Sequence, residues 1–139
     1  MGWLGWALLS AVFAAATAIL AKIGIAGIDS NLATAIRTTV VLVFTWAIAI
    51  GLEKHGAIGE ISRRSWVFLV LSGIATGLSW LCYFRALQLG PASAVAPIDK
   101  LSVVIVIVAA WLVLGESMTP MKMLGGGLIA AGAVVLALA

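Results

Sequence analysis

Five apolar runs, each close to 20 residues long and divided by short polar turns, set the terms for what this 139-residue chain can fold into. A helix needs about 20 consecutive apolar residues to cross bilayer hydrocarbon roughly 30 Å thick. The runs fall at about residues 3–23, 32–52, 66–89, 94–114 and 121–139. Membrane barrel strands would need only about ten residues each, in strict alternation. Nor can the chain present a water-facing surface, because only 9% of its residues are charged, against about 25% in an ordinary soluble domain. The predicted fold is therefore an all-α integral membrane protein, a single domain over residues 1–139 with five transmembrane helices.

Turn chemistry marks each boundary. Gly24, Gly27, Asp29, Ser30 and Asn31 separate the first two runs and supply a helix start. A polar connection from Glu53 to Ser65 carries Lys54, His55, Glu60, Arg63 and Arg64. Gly90 and Pro91 end the third run, and Gly115, Glu116, Ser117 and Pro120 form a tight turn before the fifth. The first run offers small residues at Ala14, Ala15 and Ala16, but no basic residue precedes it and it continues past them, so it reads as a retained span.

Several function classes drop out. The net charge of +3 comes from cations scattered singly between apolar runs, so there is no basic patch for nucleic acid. Cys82 is the only cysteine and cannot form an internal disulfide, and His55 has no second metal ligand nearby. Gly125, Gly126 and Gly127 lack the lysine and hydroxyl of a phosphate loop, and no nucleophile stands with a base partner. No enzymatic activity, cofactor or metal is expected.

In lipid, helices pack closely where small residues let backbones approach. Ala7, Ala11, Ala15 and Ala18 share one face of the first span, Gly73 and Gly77 form a GxxxG pair in the third, and Gly126, Ala130, Ala133 and Ala137 line the fifth. All three stripes read as packing faces. An odd number of spans places the termini on opposite sides of the membrane. Lys54, Arg63, Arg64 and Lys122 then fall on one side and Lys22, Arg37, Arg85 and Lys100 on the other, an even count of four against four. Since orientation follows the Lys/Arg bias of short loops, that balance predicts mixed insertion. If Arg37 and Lys100 turn inward, the count becomes four to two and favours a cytoplasmic N-terminus.

Charges inside the spans mark the candidate site. A charged side chain near a helix centre costs on the order of 3 kcal/mol by insertion scales and usually faces a bundle interior or a water-filled cavity. Asp99 and Lys100 follow Pro97, which lacks the N–H that would bond the Ser93 carbonyl, so Ser93 and Pro97 should supply irregular backbone there. Consecutive residues on a helix point about 100° apart, which sends Asp99 and Lys100 to different partners. A substrate or proton site around Asp99 and a satisfied ion pair are the two readings. Lys22 and Arg85, near helix ends, are expected to snorkel to the interface, while Arg37 lies deeper. Trp80, Tyr83 and Gln88 form an aromatic and polar cluster, with Trp80 and Phe84 on one face, able to hold a flat or cationic ligand. Trp3, Trp6 and Trp66 fit an interfacial belt, and Glu116 fits a structural role in its turn.

The run Tyr83-Phe84-Arg85-Ala86-Leu87, then Gly90, Ala92, Ser93 and Pro97, then Leu114-Gly115-Glu116 and a glycine-rich last span through Gly132, resembles the EamA-type domain of the drug/metabolite transporter superfamily, in its short five-span form. The chain departs from many members in having Asp99, Lys100, Leu101 and Ser102 where a second proline often stands. The resemblance implies that longer relatives carry two such repeats in opposite orientations around a central cavity and mostly export small metabolites. A five-span unit would then be one half of a ten-helix, inverted-repeat transporter, completed by an upside-down copy. The expected function is secondary export of small metabolites or drug-like compounds across the cell (inner or plasma) membrane by an antiparallel homodimer. Asp99, Lys100, Arg37, Trp80, Tyr83 and Gln88 would serve the substrate or proton. The alternatives are a subunit of a heteromeric transporter and a non-transporting membrane anchor or assembly protein.

Overall fold

The structure is a computed structural model that describes residues 2–139. It is all-helical, with no strand among the described residues. The helices are α1 (Trp3–Gly24), α2 (Ser30–Gly51), α3 (Arg63–Leu89), α4 (Ala92–Asp99), α5 (Leu101–Leu114) and α6 (Pro120–Leu138), with a 3₁₀ helix at Lys54–Glu60. Counting α4 and α5 as one interrupted span, five helices are long and apolar enough to cross a membrane. The shortest, α6 with 19 residues, measures about 28 Å at 1.5 Å per residue, close to the hydrocarbon thickness. At most 11% of any span's most apolar stretch is buried within the protein, so lipid or further protein must cover the rest.

Local chemistry sets the helix ends. The Asp29 carboxylate accepts from the N–H groups of Asn31 (2.9 Å) and Leu32 (3.1 Å), and this cap starts α2 at Ser30, ahead of the apolar run. Thr119 caps α6 by accepting from the Lys122 N–H at 3.2 Å, and Pro120 fits the first helical position, where no N–H is needed. Gly115 closes α5 at φ +69°, a left-handed conformation that costs glycine little. Hydroxyls inside the spans satisfy themselves: Thr34 donates to the Ser30 carbonyl (2.8 Å), Thr38 to Thr34 (2.7 Å) and Thr45 to Val41 (2.8 Å). In the segment expected only as a polar connection, the chain turns through Glu53 at φ +55° into the 3₁₀ helix.

The fourth span was expected over 94–114 with irregular backbone from Ser93 and Pro97. It begins at Ala92 and breaks at Lys100. There the Lys100 N–H donates to the Pro97 carbonyl and the Val103 N–H to the Lys100 carbonyl, both at 3.0 Å and both with the i to i−3 spacing of a tightened turn. Pro97, inside α4, removes one ladder bond and crowds the preceding turn, which weakens the regular α pattern locally.

The chain divides into two compact units. In the unit formed by residues up to Lys22 and by Leu89–Ala139, α4 and α5 both pack against α6. Gly126 is buried there, and a Cβ built on it would sit 3.5 Å from Ile107 Cδ1. Ala133 is also buried and Ala130 half-buried, whereas Ala137 is exposed. Of the α1 stripe, Ala18 is buried and Ala7, Ala11 and Ala15 are exposed. Lys22 donates from Nζ to the carbonyl of Gly90, in the turn between α3 and α4, at 2.8 Å. In the unit Ile23–Gln88, Ile25, Thr34, Phe84 and Leu87 are buried, Gly77 is half-buried and Gly73 is exposed.

Candidate substrate-binding site

Within the second unit, α2 and α3 meet around a charge. Arg37 stands seven residues beyond Ser30, about 10 Å along the α2 axis. Its guanidinium carbon lies 4.2 Å from the Trp80 ring centroid and 5.5 Å from that of Phe84. Trp80 and Phe84 are four residues apart on α3, one turn above the other on the same face, so both rings reach one cation. A desolvated cation–π contact is worth about 2 kcal/mol, and the second ring is near the ~6 Å limit of the effect. Placing an arginine at membrane depth costs roughly 3 kcal/mol. The rings therefore offset only part of the cost. Tyr83, half-buried beside Phe84, interacts electrostatically with Arg37.

The cation that this aromatic face holds is thus the protein's own, not a ligand's. Sequence reasoning had Arg37 and Trp80 as separate candidates and Phe84 as a neighbour on the face. The i, i+4 spacing of the rings was visible, but which face of α2 they meet was not.

Gln88 is engaged at both ends of its amide. Its Nε2 donates to the Ile28 carbonyl (2.9 Å), and its Oε1 accepts from Arg85 Nη1 (2.7 Å). These bonds tie the turn between α1 and α2 to the end of α3, and Arg85 is joined to them through Gln88.

In the first unit, Asp99 and Lys100 pair with each other, Nζ to Oδ2, at 3.2 Å. A regular helix would point them apart. The break at Lys100 and the length of the lysine stem let the ammonium fold back onto the preceding carboxylate. The pair sits on irregular backbone, beside half-buried Pro97 and downstream of exposed Ser93. Lys122 reaches Glu116 at 3.3 Å, a link between the α5–α6 turn and α6 that sequence spacing did not reveal. Lys122 also lines an apolar groove of about 500 Å³ together with Ile107, Trp111, Met123 and Gly126.

Apolar spans with ionic and aromatic groups set into them define a polytopic membrane protein. The chain belongs to the EamA-like transporter family, which it matches over residues 1–138. It is 54% identical over 135 residues to a Sinorhizobium sp. protein described as an uncharacterized transporter in the cobO 3′ region, a match covering 97% of this chain and 96% of that protein. No solved structure matches it. The protein is a multi-pass membrane transporter.

Proposed function

We propose that the protein is a secondary exporter of small metabolites or drug-like compounds, located in the cell membrane and working as an antiparallel homodimer. The observation that carries this reading is the match to a transporter family over residues 1–138, a length that holds five spans. Substrate sites of inverted-repeat transporters form between repeats near the bilayer midplane. One five-span unit supplies half of such a site, and an inverted second copy supplies the other half through a closed two-fold contact. The near-even distribution of Lys and Arg permits insertion both ways. Rocking one copy against the other then alternates access.

Asp99, Lys100 and Arg37 are the charged groups assigned to substrate or proton. Trp80 and Tyr83 line the path, and Gln88 stabilises the turn beside it. The interruption at Lys100, directly after Asp99, supports this reading, since transporter sites often lie at discontinuous helices. Replacing Asp99 by Asn, measured as substrate efflux from reconstituted vesicles under an imposed pH gradient, should abolish gradient-driven transport while the protein still folds. Undiminished efflux by Asp99→Asn would remove Asp99 from the mechanism.

A further inference from the structure

The eight Lys and Arg of this chain outnumber its five Asp and Glu, and the five carboxylates can each be followed. Asp29 caps α2, Asp99 pairs with Lys100, and Glu116 pairs with Lys122. Glu53 lies just past the end of α2, about 24 Å along the axis from Arg37, and Glu60 lies at the end of the 3₁₀ helix. Within its own unit, Ile23–Gln88, Arg37 has no carboxylate at ion-pairing distance. Its guanidinium also interacts electrostatically with Tyr83.

The guanidinium carries five N–H donors in a fork that matches the two oxygens of a carboxylate, and an aromatic ring supplies neither oxygen. The result is a permanent cation within an apolar span, close to the Trp80 and Phe84 rings and to Tyr83, with no carboxylate of its own unit paired to it. Such a group gains most from a single negative charge presented by a planar acceptor. A doubly charged phosphate would bring one uncompensated negative charge into the same apolar surroundings.

We propose that Arg37, Trp80 and Phe84 form a binding site for a monovalent organic carboxylate with an apolar body, and that this is the substrate class of the transporter. The inference rests on the transporter reading for the word substrate, but not for the binding itself. The carboxylate docks on the guanidinium fork, and the apolar body lies along α2 and α3.

The test uses the purified full chain in lipid nanodiscs, with benzoate and benzylammonium as probes of the same ring and opposite charge, followed by calorimetry. Benzoate should bind and benzylammonium should not. Arg37→Gln should weaken benzoate at least tenfold, Arg37→Lys should weaken it less, and Lys122→Gln should leave it unchanged. Binding of benzylammonium in preference to benzoate, binding of neither, or equal benzoate binding by folded Arg37→Gln would overturn the proposal. The first comparison needs no variant, so it decides even if Arg37→Gln does not fold. Benzoate binding without any transport would defeat only the exporter reading. Transport that excess benzoate does not inhibit would defeat only the carboxylate assignment.

Discussion

The Arg37 site makes a quantitative prediction through a double-mutant cycle with Trp80→Leu and Arg37→Gln. Trp80 lies 4.2 Å from the guanidinium, close to best contact, and the site is within a span where water is scarce. The coupling energy should therefore approach the desolvated cation–π value, about 1–2 kcal/mol. Phe84, at 5.5 Å, should couple to Arg37 by less than about 1 kcal/mol. The single changes should differ in sign or size. Trp80→Leu leaves an arginine at depth without its main support and destabilises the protein by the full coupling. Arg37→Gln removes the roughly 3 kcal/mol cost of the charge together with the cation–π gain, so it should be nearly neutral or stabilising. Unfolding in mixed micelles with rising dodecyl sulfate, read by far-ultraviolet circular dichroism on all four proteins, gives the cycle. A Trp80 coupling within about 0.3 kcal/mol of zero, the usual error of additivity, would refute the geometry.

Two further stability effects follow from local structure. Asp29→Ala removes the acceptor of two N–H groups at the start of α2 and should cost about 1 kcal/mol in the same unfolding assay, with Asp29→Asn or Asp29→Ser restoring most of it. Gly126→Ala should be tolerated or slightly stabilising, because its Cβ would meet Ile107 Cδ1 at an ordinary 3.5 Å. By contrast, Gly126→Leu should overpack the α5–α6 contact by roughly 1–3 kcal/mol, seen as a lower thermal midpoint in detergent.

The five spans were legible because bilayer thickness acts on a whole run of residues at once, so 20 apolar positions outweigh any local preference. Their ends were less so. The start of α2 depends on one carboxylate turning back on two N–H groups, and the interruption at Lys100 depends on how the chain relaxes after Pro97. Side-chain pairing was legible only where spacing along one helix decides it. The shared face of Trp80 and Phe84 could be read from a four-residue interval, but Arg37 had to come from another helix, whose rotation no periodicity in the sequence reveals. Asp99 and Lys100 were expected to part because a regular helix was assumed, and the break brings them together. Gln88 and Lys22 looked like pathway and snorkelling residues by type. Their observed bonds to Ile28, Arg85 and Gly90 depend on long-range folding that residue type does not encode.

On the proposed function, one five-span chain is half of a conduit, completed by a copy inserted the other way up. Single cysteines at Gly2 and Ala139, introduced into a Cys82→Ala background and labelled in intact cells and in inverted vesicles with a membrane-impermeant maleimide, test it directly. Each terminus should be labelled from both sides of the membrane. Labelling of each terminus from one side only, in a protein that transports as a monomer, would contradict it.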